Sequence, residues 1–133
     1  MRNLAIVTAL SLLTAGSAGI AKRGSDEVPV ARSTGKPVSC IPLTQIRESR
    51  VRNDRVIDFR VSGKKWYRNT LPLDCPSLGF EERFSYKTSL SQLCSQDIIT
   101  VLRTGGGGGL EGGPSCGLGK FEPVEIDRKP RSS

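Results

Sequence analysis

Four cysteines, Cys40, Cys75, Cys94 and Cys116, and a run of arginines and lysines between Arg47 and Arg68 are the residues of this chain with chemistry to offer. Histidine is absent. Without it there is no imidazole base for a serine or cysteine triad, and the commonest zinc ligand is missing. The cysteines stand 35, 19 and 22 residues apart with no C-x-x-C pair, so a four-cysteine zinc site or a thioredoxin-type redox motif is poorly supported. An even number of cysteines in a small chain instead favours disulfides. Three pairings are possible. Cys75 with Cys94 and Cys40 with Cys116 is the expected one, because the first closes a local loop and the second ties the two ends of the domain together.

Other apparent motifs fail on their surroundings. Gly107-Gly108-Gly109-Leu110-Glu111-Gly112 satisfies G-x-G-x-x-G, but Pro114, Ser115 and Cys116 follow where a phosphate-binding helix should start. Gly119-Lys120 resembles the end of a Walker loop, yet Pro114 occupies the position of its first glycine and Phe121 that of the magnesium-binding hydroxyl. Ser62-Gly63-Lys64-Lys65 spells S-x-x-K on a hairpin, whereas that motif needs a helical turn. Glu81 and Glu82 are neighbours whose side chains diverge on a helix or a strand, so they cannot flank one substrate bond. No catalytic residue, metal site or cofactor is implied.

The elements that must position the remaining residues read as β. Residues 46–52 lead to a turn at Asn53-Asp54. Arg55 to Val61 then alternates, with Ile57, Phe59 and Val61 on one face. Gly63 supplies a second turn, and Lys65 to Leu71 returns with Tyr67, Asn69 and Leu71 on one side and Trp66, Arg68 and Thr70 on the other. Residues 77–83 suit a single helical turn and Phe84 to Tyr86 a short strand. Asp97 to Leu102, β-branched and apolar on both sides, has the pattern of a central strand. Gly105 to Gly113 reads as a flexible loop, and Ser115 to Val124 as one last strand with a bend. The expected fold is mainly β: a small single domain whose antiparallel meander curls into an open sheet or small barrel, tied by disulfides.

Boundaries follow from composition. Met1 to Ala21 has the short basic start, apolar run and small residues of a cleaved signal peptide, with cleavage after Ala18 or Ala21, and the run is too short to span a bilayer. Residues 22–38 mix charge, glycine and proline without an apolar period and read as a disordered linker. The domain is 39–127 and a charged tail occupies 128–133. With 36% hydrophobic and 5% aromatic residues the chain supports one small core, which is why covalent ties matter. The net charge of +7 is unevenly placed. Residues 47–68 carry eight bases against three acids, and the rest of the domain four bases against eight acids.

The spacing of Asp54-x-x-Ile57-x-Phe59, Tyr67-Arg68-Asn69-Thr70-Leu71-Pro72, Cys75-Pro76-x-Leu78-Gly79-Phe80, Phe84-x-Tyr86, Ser91-Gln92-Leu93-Cys94, Asp97-x-Ile99-Thr100-Val101-Leu102 and Ser115-Cys116-x-Leu118-Gly119-x-Phe121-x-Pro123-Val124 resembles a family of small exported proteins of Gram-negative bacteria, catalogued as a domain of unknown function. The resemblance covers about residues 39–125. It implies a location in the periplasm or outside the cell and a compact β module, and carries no activity.

The feature that survives is the basic meander with interleaved aromatics. Arg50, Arg52, Arg60, Lys65, Trp66 and Arg68 form the candidate binding set, suited to an acidic protein or an anionic envelope polymer; export makes nucleic acid an unusual partner. The plainer reading is a solvated sheet face whose arginines pair with Glu48, Asp54 and Asp58. Thiol-disulfide or metal chemistry at Cys75 and Cys94 is the alternative class, and a purely structural role the third.

Overall fold

The computed structural model describes residues 28–88 and 90–127. The expected signal peptide at residues 1–21 and the expected 128–133 tail lie outside the described residues. Ten strands and one short helix follow in order: β1 Ala31–Ser33, β2 Cys40–Pro42, β3 Ile46–Val51, β4 Val56–Val61, β5 Lys65–Thr70, α1 Leu78–Glu81, β6 Phe84–Tyr86, β7 Gln92–Cys94, β8 Ile98–Thr104, β9 Leu110–Gly117 and β10 Phe121–Ile126. They form three antiparallel sheets, ordered β1-β10-β5-β4-β3, β2-β7 and β6-β8-β9. The five-stranded sheet ends on β1 and β3, which do not pair, so it stays open instead of closing into a barrel. Among the described residues no helix is long and apolar enough to cross a membrane.

The meander β3-β4-β5 forms as the alternation demands. Asn53 Oδ1 accepts the backbone N–H groups of Arg55 and Val56, both at 2.8 Å, closing the first turn through a side chain that mimics backbone. Gly63 has φ 78° in the second turn, a conformation that costs glycine nothing. Ile57, Phe59 and Val61 then face inward and are buried. Phe59 is the joint between sheets: its ring meets Phe121 of β10 edge-on at 5.6 Å and Phe84 of β6 at 6.3 Å. Ile41 and Leu93 from the two-stranded sheet, Ile99 and Val101 from β8, and Leu78 from α1 complete the core.

Buried Asn69 completes the ladder where β10 has not yet begun. Its side-chain amide donates to the Gly119 carbonyl at 2.7 Å and accepts the Gly119 N–H at 2.8 Å, so it stands in for a strand partner. The backbone of 119 comes so close that a Cβ there would lie 2.2 Å from the Thr70 carbonyl oxygen.

The structure corrects five expectations. The disulfides are Cys40–Cys94 and Cys75–Cys116, not Cys75–Cys94 and Cys40–Cys116. Cys40 and Cys94 are direct partners across β2 and β7. The flanking Leu43-to-Ser91 and Ser95-to-Ser39 backbone bonds place them at a non-hydrogen-bonded position, where opposed side chains are closest. Residues 22–38 are not all linker: Ala31–Ser33 pairs with β10, and Val38 bridges Phe121, because the free edge of β10 supplies backbone partners that no apolar period announces. The expected glycine loop is confined to a turn at residues 105–109, since Leu110 to Gly112 pair with β8. The last strand is two strands, with β9 and β10 in different sheets. The Asp97 to Leu102 segment is central in its sheet as β8 but buries one face only, with Ile98 57% exposed.

Two measurements check this architecture. Trypsin can cut between every two successive cysteines, so an unreduced digest is expected to yield peptides linking Cys40 to Cys94 and Cys75 to Cys116; a Cys75–Cys94 peptide contradicts the fold. Gly119→Ala forces Thr70 and residue 119 apart and strains both Asn69 bonds, lowering stability by about 3 kcal/mol in urea unfolding. A loss below about 1 kcal/mol means that this close approach does not exist.

Candidate functional site

Strand registers decide which of the basic residues meet. Arg52 N–H bonds to the Val56 carbonyl at 2.8 Å, and the unbroken register from Glu48↔Arg60 to Val51↔Ile57 then makes Arg50↔Asp58 and Glu48↔Arg60 hydrogen-bonded pairs of β3 and β4. Between β4 and β5 the Leu71-to-Arg55 bond sets the opposite phase, so Asp58↔Arg68 and Arg60↔Trp66 are non-hydrogen-bonded pairs with side chains in closest approach. These residues therefore share the outer face of the sheet, away from Phe59.

Asp58 lies at the centre of that face and is 0% exposed. Arg68 grips it with two bonds, Nε to Oδ1 at 2.8 Å and Nη2 to Oδ2 at 3.0 Å, and Arg52 Nε donates to Oδ2 at 2.8 Å. The two arginines are themselves mostly covered, at 16% and 14% side-chain exposure. Arg68 Nη2 also donates to the Pro29 carbonyl at 2.9 Å, which brings the segment before β1 onto the triad. A second, more exposed group lies beside it. Glu48 accepts from Arg50 Nε and from Arg60 Nε, the latter at 3.1 Å, and the Arg50 guanidinium lies over the Trp66 ring, 5.6 Å from its centroid. The hydrogen bonds from Arg50 and Arg60 hold the Glu48 carboxyl below its ordinary pKa of 4.5.

Five of the six candidate residues, Arg50, Arg52, Arg60, Trp66 and Arg68, thus come together. Lys65 does not: it alternates to the other side of β5, where its ammonium lies over Tyr67, 4.9 Å from the ring centroid. Pairing with Glu48 and Asp58 occurs as the plainer sequence reading expected, whereas Asp54 serves a different purpose, accepting the Gly79 N–H at 2.7 Å. Sequence reasoning missed the Pro29 contact and the Arg50–Trp66 stack, because neither a backbone carbonyl from 39 residues away nor a side chain crossing a whole strand leaves a periodic trace.

The pairing does not use up the arginines. Among the described residues Arg50, Arg52 and Arg60 each donate through Nε alone, which leaves their Nη groups for another acceptor. Four guanidinium groups over two carboxylates also leave a net charge of +2. Chemically the face can hold anions. Cys75 and Cys94 are not neighbours in a common bond, so the thiol alternative loses its premise of a Cys75–Cys94 unit.

The two carboxylates differ in what their loss costs. Asp58→Ala strands two nearly buried guanidinium groups and is expected to lower stability by about 3 to 5 kcal/mol. Glu48→Gln breaks exposed pairs and costs less than about 1 kcal/mol. Because the folded-state pKa of Glu48 is depressed, its contribution is present above its unfolded value and disappears as pH falls through the lower folded value. The stability gap between the parent protein and Glu48→Gln should accordingly close below about pH 4.5 in urea titrations. Equal losses for the two variants at pH 7 contradict this division. No family model matches the sequence, and no curated protein or solved structure shows significant similarity to it.

Proposed function

We propose that the protein is an exported, non-enzymatic binding module of the bacterial envelope whose outer sheet face takes an acidic partner. The carrying observation is the Nε-only engagement of Arg50, Arg52 and Arg60. Their stems are held in register by Glu48, Asp58 and Trp66 while the guanidinium ends remain available, so little rotamer entropy is lost when an anion binds. Export is supported by the apolar, small-residue N-terminus and by two disulfides in a chain of 133 residues, since such bonds persist in oxidising compartments. The resemblance to small exported Gram-negative proteins belongs to the same proposal. A binding role also agrees with the lack of histidine and with the pairing of every buried side-chain nitrogen and oxygen among the described residues.

Trp66 is the single tryptophan and stands on this face, so its fluorescence reports directly on occupancy. Titration with polyglutamate at low salt is expected to change Trp66 emission, with the change suppressed as ionic strength rises. Arg50→Gln combined with Arg60→Gln should weaken binding at least tenfold. Lys65→Gln, on the other side of the strand, should leave it nearly unchanged. Equal effects from both variants would show that net charge alone drives the binding, and no response at any salt concentration overturns the proposal.

A further inference from the structure

We infer that the acidic partner is an extended polypeptide segment that adds to the free edge of β3 as a sixth strand of the large sheet; this rests on the binding face proposed above. The backbone phase derived from the Arg52-to-Val56 bond is the first support. Glu48 and Arg50 turn their backbone groups toward β4, so Ser49 and Val51 turn theirs outward. β3 is the terminal strand of the five-stranded order, and these N–H and C=O groups therefore form an unpaired edge among the described residues.

This edge differs from the others among the described residues. β1, β2, β6 and β7 are three residues each, too short to template a strand. β9 is longer but carries Pro114 and an irregular register between its Thr100 and Leu102 partners, two devices that spoil further pairing. β3 has six residues and no proline, and its register shift falls at its start, between Ile46 and Glu48.

The side chains then select the occupant. A strand laid beside β3 places alternate residues next to Arg50 on the outer face, about 5 Å away, within reach of its unspent Nη groups and those of Arg52. Its intervening residues lie beside Ser49 and Val51, and Val51 packs against the core. The matching segment alternates carboxylates with small or β-branched residues. A second copy of this chain is a poor occupant. Pairing of β3 with itself brings together two segments that each carry Arg47, Arg50 and Arg52 against Glu48 alone, a net +2 on each side. The basic edge thereby rejects self-association and accepts an acidic strand, which is positive and negative selection by one set of groups.

The test uses the oxidised protein and a fluorescein-labelled peptide of alternating glutamate and valine, followed by anisotropy. Controls are the same peptide N-methylated at every valine, which keeps charge and composition but blocks strand pairing, and polygalacturonate, an anion without a peptide backbone. Binding of the parent peptide at least tenfold tighter than the N-methylated one supports strand addition. Ser49→Pro removes an outward N–H without touching the β3–β4 ladder and should cause a similar loss, and Arg50→Glu a larger one. Equal affinity for the N-methylated peptide, or preference for polygalacturonate, overturns strand addition while leaving the basic face intact. Failure of every anion to bind at low salt overturns both. A stable dimer of the free protein that Ser49→Pro dissolves also overturns the inference, because the edge would then belong to a second copy.

Discussion

A buried carboxylate on the outside of a sheet is the constraint on which this structure turns. Asp58 sits on the face opposite the hydrophobic core, yet it is as inaccessible as Phe59 beside it in the chain. Removing such a charge from water costs several kcal/mol unless neighbouring donors replace the lost hydration. Arg68 from β5 and Arg52 from the end of β3 supply three hydrogen bonds. One side chain thus ties three adjacent segments, and through the Arg68 bond to Pro29 it also recruits the segment leading into β1. Asp58 is thereby buried on the outer side of β4 beneath two mostly covered arginines, whose long apolar stems are suited to covering a sheet face.

The same limited supply of apolar residues accounts for the covalent ties. The core is built from a few residues of each sheet meeting around Phe59, and the two small sheets contribute only two fully buried hydrophobic residues each, Ile41 with Leu93 and Ile99 with Val101. Cys40–Cys94 closes the two-stranded sheet, and Cys75–Cys116 joins the segment before α1 to β9. Chain separations of 54 and 41 residues correspond to about 4 kcal/mol each in the loop-closure model, although calorimetry assigns part of such gains to enthalpy. Two such terms are comparable to the whole stability of an ordinary domain.

The division of labour on the outer face follows from burial. Arg68 is spent on Asp58 and on a backbone carbonyl, so its role is to hold the sheet together. Arg50 and Arg60 are more exposed, share the half-buried carboxylate of Glu48 and keep spare donors. Residues that looked equivalent in the sequence therefore separate into Arg68, which supports the sheet, Arg52, which both pairs with Asp58 and keeps spare Nη donors, and a presenting pair, Arg50 and Arg60, with Trp66 as the surface on which Arg50 rests.

Much of the local structure was legible because strand alternation is a local property. The three strands of the meander, the Asn53 and Gly63 turns, the inward set Ile57, Phe59 and Val61, the helical turn at Leu78 and the short strand at Phe84 all follow from period two and turn chemistry. That same period placed Trp66 and Arg68 together, although the candidate set drawn from the sequence also included Lys65, which the register turns to the other side. Disulfide partners, the capture of Ala31–Ser33 by β10, the division of the last strand between two sheets and the burial of Asp58 were decided by tertiary structure. The disulfides and the capture of β1 depend on which strands become neighbours across 40 or more residues of chain, and the burial of Asp58 on two arginines from the flanking strands converging on it; such backbone and side-chain partners are spatial, and no periodicity records their sequence positions.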